Sequence, residues 1–164
     1  MILQGLLFAM FAGTAVGCAL GMVFHRNPVH CALLLVAVLL SISGLFVLLN
    51  APFIAALQVL VYAGAIMVLF IFVIMLLNLP RDEDGADRLR WLKFIGIPLG
   101  LFFLFLVGAT VWNVEPASAQ AQLVGSPQAI GQSLFTDYVL PFEATSLLIL
   151  IALIGAVIFA KKDL

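Results

Sequence analysis

Residues 53–77 read FIAALQVLVYAGAIMVLFIFVIMLL, about 25 positions without one charged side chain. Roughly 20 apolar residues carry an α-helix across the hydrocarbon core of a bilayer. The run therefore predicts a membrane-spanning helix over about Phe53–Leu77, longer than a straight crossing requires. Its middle departs from the leucine-rich ends, with Gln58, Tyr62, Ala63, Gly64 and Ala65. In a regular helix Gln58 and Tyr62, four apart, share a face on which amide and phenol can hydrogen-bond. Gly64 weakens a helix by about 1 kcal/mol relative to alanine, and kinks and π-bulges gather at such points. Two readings of Ala63-Gly64-Ala65 stay open: a close-packing surface, or a deformable point.

Working outward, four further segments have the length and apolarity to span: about Ile2–Phe24, Val29–Leu49, Leu92–Trp112 and Val139–Ala160. The 164 residues are 65% hydrophobic and 9% charged, against about 45–50% apolar and about 25% charged in soluble domains. The expectation is an all-α integral membrane protein, one membrane domain over residues 1–164, with five transmembrane helices. A net charge of −1 offers no basic surface for nucleic acid. The first segment has no Lys or Arg before it, so it is read as a retained helix rather than a signal peptide.

Lys and Arg set orientation. Arg26 lies in the first loop, Arg81, Arg88, Arg90 and Lys93 in or beside the third, and Lys161 and Lys162 at the end. With five alternating helices all seven cations fall on one side, which puts the N-terminus outside and the C-terminus inside. The external loop, about 113–138, is the only long polar stretch, and a short interfacial helix is expected near Ala129–Phe135. Trp91 and Trp112 bracket the fourth helix like interfacial anchors of a lipid-facing span. In the first helix Gly5, Ala9, Gly13, Gly17 and Gly21 recur every fourth residue. Such a small-residue stripe lets helix backbones approach closely, against another helix of this chain or against a different subunit.

Glu143 is the only acid inside an apolar segment. It has two readings: a structural group favoured by the helix dipole in the first turn of the fifth helix after Pro141, or a proton-path group. His25 and His30 flank the Arg26-Asn27-Pro28 turn. They read as polar interface residues rather than a haem pair, since haem ligands come from opposed faces at matching depth. Cys18 and Cys31 form no CxxC pair and read as small hydrophobes. No phosphate loop, zinc spacing, catalytic triad or iron–sulfur cysteine set is present, so no redox site, cofactor or metal is expected in this chain. Three function classes fit: an energy-coupling subunit of a redox-driven pump, a haem-bearing membrane anchor, and a subunit of an ion antiporter.

Three stretches resemble one family. His25-Arg26-Asn27-Pro28-Val29-His30-Cys31-Ala32-Leu33 is similar to its N-P-V-H-A-L start of the second helix. Gln58 to Phe70 looks like its most recognisable motif. Ile130-Gly131, Leu134 to Tyr138 and Pro141-Phe142-Glu143 match its approach to the fifth helix. The family is the J-type (chain 6) membrane subunit of respiratory complex I, the proton-pumping NADH:quinone oxidoreductase. The resemblance implies a non-catalytic subunit of the membrane arm, in a bacterial inner membrane rather than a mitochondrial one. Its neighbours would be the quinone-side subunit, the small K-type subunit, the antiporter-like subunits and the lipid bilayer. FMN, iron–sulfur clusters, NADH and quinone would be bound by other subunits. It also implies a π-bulge near Tyr62 and Gly64 that relaxes to α-helix, turns the far half with Met67 and Val68, and so makes or breaks a proton path. Some relatives carry a carboxylate where this chain has Gln58, whose amide does not ionise.

Overall fold

A computed structural model describes residues 2–77, 90–112 and 126–161. The chain is built of helices, with no strand among the described residues: α1 (Ile2–Phe24), α2 (Pro28–Leu48), α3 (Pro52–Leu57), a π-helical segment (Gln58–Ile66), α4 (Met67–Leu77), α5 (Arg90–Trp112), α6 (Pro127–Thr136) and α7 (Val139–Ala160). The π segment joins α3 and α4 into one rod, Pro52–Leu77. That rod, α1, α2 and α7 are each long and apolar enough to cross a membrane. In α5 the apolar stretch with described side chains is Ile95–Thr110, and Pro98 lies inside it. Most of the third and fourth loops, with Arg81 and Arg88, lies outside the described residues, as do Lys162 and the side chains of Arg90, Trp91, Lys93 and Trp112.

Local chemistry places the turns. Asn27 caps α2, its Oδ1 accepting from the Val29 amide at 3.0 Å, and Pro28 opens the first turn, where its missing N–H costs nothing. The turn out of α2 passes through Asn50 at φ 58°, a left-handed position that asparagine tolerates. The Ala51 amide there donates to the Phe46 carbonyl at 3.0 Å, and Pro52 starts the rod. Ser126 caps α6 through the Ala129 amide at 3.2 Å, so the short helix in the fourth loop runs Pro127–Thr136.

The packed part of the molecule is α1, α2 and the rod, with α2 central. Antiparallel α1 and α2 meet at matched levels. The Phe11 ring sits over Gly44, Thr14 Oγ1 and Ser41 Oγ share a 2.9 Å hydrogen bond, and Cys31 Sγ donates to the Met22 carbonyl at 3.5 Å. On the other side Ser43 Oγ donates to the Ala55 carbonyl at 2.9 Å. Among the described residues the buried apolar ones are Ala32, Ala55, Ala63 and Met67. Three of the four are alanines, as expected where helices in lipid gain by close approach rather than by hiding bulk. No described side chain of α5 or α7 is buried within the chain. The first turns of α7 pack on α6, with Phe135 edge-on to Phe142 at 5.0 Å.

The glycine stripe on α1 is not what holds α1 to α2. A Cβ added at Gly5, Gly13 or Gly17 would meet nothing within 4 Å, and only Gly21 has a neighbour, Leu34 Cδ1 at 3.4 Å. Intramolecular packing of the stripe is confined to Gly21. The contact uses instead the face carrying Phe11 and Thr14, where a ring and a hydroxyl find Gly44 and Ser41.

Candidate functional site

The π segment is where the molecule departs most from regular helix. It covers nine residues, Gln58–Ile66, and the Met67 amide that follows donates to the carbonyls of Tyr62, five back, and Gly64. The burial pattern records what the wider repeat does. The buried positions of the rod are Ala55, Gln58, Ala63 and Met67. On a straight α-helix Gln58 and Ala63, five apart, would point roughly 140° away from each other. An i→i+5 repeat widens the turn and swings residue i+5 back toward the face of residue i, so the segment restores one face toward α2 on both sides of itself.

Gly64 meets this geometry directly. A Cβ on it would lie 3.2 Å from the Val59 carbonyl oxygen of its own helix, five residues back. Any side chain would press on a backbone atom that the π repeat has brought close. Tyr62 is 52% exposed, Val68 62% and Met67 only 5%. Gln58 is 9% exposed and makes no hydrogen bond to Tyr62, which points the other way. The expected amide–phenol pair is therefore absent: one residue faces α2 and the other faces outward.

Glu143 is exposed, and it lies elsewhere. α7 begins at Val139, two residues before Pro141, because proline is accommodated in a first turn whose amides have no partner anyway. Glu143 is thus the fifth helical residue, past the first turn, and the helix start has no side-chain cap. The hydrogen bonds there come from neighbours, Ser146 Oγ to the Glu143 carbonyl at 2.7 Å and Thr145 Oγ1 to the Pro141 carbonyl at 2.7 Å. His25 and His30 stack on each other, ring centroids 5.7 Å apart and planes 23° from parallel.

Sequence reasoning missed Gly44, Ser41, Ser43 and Thr14. Two serines two apart in an apolar helix were the available signal, since hydroxyls in spans bond across to neighbouring helices or back to their own carbonyls.

Helices of this length, with a deformed rod packed on α2 through alanines, define a multi-pass membrane protein whose irregular element lies within a span. Residues 18–159 match the family described as NADH-ubiquinone/plastoquinone oxidoreductase chain 6. The chain is 42% identical to NAD(P)H-quinone oxidoreductase chain 6 of Synechocystis sp., over 98% of this chain and 82% of that one. It is 35% identical to NADH-quinone oxidoreductase subunit J of Rhodobacter capsulatus, over 94% and 80%. The chain belongs to the chain 6 (subunit J) family, and with it to the membrane subunits of a quinone oxidoreductase complex.

Proposed function

We propose that this chain couples quinone reduction to proton translocation in the membrane arm of a proton-pumping NADH:quinone oxidoreductase, with the rod Pro52–Leu77 as its switch. The observation that carries the reading is the π segment and the face it restores. Were the segment to relax to α-helix, everything beyond it would turn by about 100°, one residue's share of a turn. Tyr62 and Ile66, four and eight beyond Gln58, would then face α2 in place of Ala63 and Met67. Met67 and Val68 would exchange surroundings, which opens or closes a gap for water beside the rod. A switch needs two states within a few kcal/mol of each other. Gly64 meets that need because it alone leaves the Val59 carbonyl free to approach.

The reading extends to the whole chain. It spans a bacterial inner membrane five times, with α5 as the fourth span, the N-terminus outside and the C-terminus inside. Its neighbours are the quinone-side subunit, the small K-type subunit and the antiporter-like subunits, and the redox groups reside in other subunits. Gln58, Tyr62, Gly64, Met67 and Val68 form the coupling element. Glu143, outside the packed trio, has no place in it. Single cysteines at His25 and at Gln128, in a background without Cys18 and Cys31, should label from opposite faces of sealed vesicles. Labelling of both from one face would overturn the five-span topology.

Gly64→Val tests the switch. A branched side chain there presses on the Val59 carbonyl in the π form, and no such contact is built into an α repeat, so the variant should shift the rod to α-helix. NADH oxidation with an artificial acceptor should persist in the assembled complex, while quinone reduction coupled to pumping should fall at least tenfold. Gly64→Ala, with one methyl against the same carbonyl, should fall between it and the parent. Normal coupled turnover in an assembled Gly64→Val complex would falsify the switch.

A further inference from the structure

Among the described residues the buried polar side chains are Ser41, Ser43 and Gln58. Both serines are bonded inside the chain. Ser41 Oγ donates to the Ala37 carbonyl at 2.9 Å and shares a hydrogen bond with Thr14, and Ser43 Oγ donates to the Ala55 carbonyl. Gln58 differs. Its carboxamide carries two donors and an acceptor, yet it has no hydrogen-bond partner among the described residues. No fully enclosed side-chain nitrogen or oxygen there lacks a partner, so the Gln58 amide is not sealed in. The residue is packed within the chain but its amide keeps some exposure, and its chain neighbours Leu57 and Val59 are exposed.

Nothing among the described residues satisfies this amide, and it is open to the surroundings of the rod. Gln58 is the seventh residue of the rod from Pro52, which sets it about 9 Å from that end at 1.5 Å per residue. At that depth lipid tails offer neither donor nor acceptor, and an unsatisfied polar group is costly. The chain is one subunit of a complex, so other transmembrane helices are at hand. We infer that Gln58 hydrogen-bonds a polar side chain on a transmembrane helix of a neighbouring subunit, which makes the junction of α3 and the π segment an intersubunit seam. This rests on family membership and not on the switch.

The sign of one substitution separates the occupants. Gln58→Met keeps length and shape but removes all hydrogen bonding. If a partner side chain is there, the variant strands it, and removal of one partner of a buried pair destabilises. Retention of the chain in the purified complex through a detergent series should then fall about threefold, the equilibrium factor of an average interhelical hydrogen bond. If only water or lipid meets the amide, an apolar replacement is neutral or stabilising, and retention equal to or above the parent's overturns the proposal. A photo-reactive p-azidophenylalanine at exposed Val59, in a complex with Gln58 intact, reads the neighbour without disturbing the amide. A covalent product with another subunit is expected, and products with phospholipid alone overturn the seam. Both measurements read assembly rather than pumping, so they stand or fall apart from the Gly64 test.

Discussion

Two glycines in this molecule are both held to their identity by a close neighbour, and the neighbours differ in kind. At Gly44 a Cβ would lie 2.7 Å from the Phe11 ring of α1. At Gly64 a Cβ would lie 3.2 Å from the Val59 carbonyl of its own helix. The first glycine serves a fixed contact between two regular helices, and the crowding can be relieved by trimming the partner. The second serves a backbone geometry, and no change in another side chain relieves it; the backbone itself must give by a few tenths of an ångström. The α1–α2 hairpin is thus held by the fit of one side chain to another helix, and the rod by the repeat of its own backbone.

The largest effect expected on the static side of this comparison is at Gly44. Gly44→Leu should strongly reduce accumulation of the folded chain in the membrane, because overpacking a closed contact costs roughly 1–3 kcal/mol and the site has no slack. Adding Phe11→Ala should recover much of the loss. If the double variant is as poor as the single one, the ring is not what Gly44 accommodates. On the open face of α1, Gly13→Leu with Gly17→Leu should leave the chain folded, since neither position has a neighbour within 4 Å, and should lower the yield of assembled complex. A drop in accumulation of the chain itself would show that the stripe is used internally after all.

Smaller still is the hydroxyl pair. Thr14→Val deletes the bond to Ser41, and interhelical hydrogen bonds in membranes average about 0.6 kcal/mol, so the purified chain should lose only a few degrees of thermal stability. A loss as large as that of Gly44→Leu would mean that the hairpin is held by polar glue rather than by fit. Glu143→Gln should change least: with Glu143 outside the packed trio and exposed within the chain, quinone reduction and pumping should both survive. Selective loss of pumping would bring α7 into the proposed coupling element and blur the contrast between the hairpin, held by side-chain fit, and the rod, set by its backbone repeat.

Much of the fold was legible because bilayer thickness constrains helix length more tightly than water constrains anything in a soluble protein. The helix ends follow from Asn27-Pro28, Asn50 with Pro52, and Ser126-Pro127, whose local chemistry acts within a turn of itself. What periodicity missed lies where it assumes one repeat throughout. The Gln58–Tyr62 pairing is sound on an α-helix and fails because the segment is π-helical. The glycine stripe is sound as a surface and does not reveal which helix covers it. Glu143 moved out of the first turn because a proline can sit inside that turn as well as mark its start.

By itself the sequence determined the class of protein, the long apolar helices and the family, because each rests on residues that act locally or on composition that only a membrane accepts. The tertiary structure decided which face of α1 meets α2, that Gly44 and not the stripe makes the contact, and that Gln58 and Ala63 share a face. Those outcomes depend on how one helix fits against another, and the shape of a partner is not written in the period of either strand of sequence.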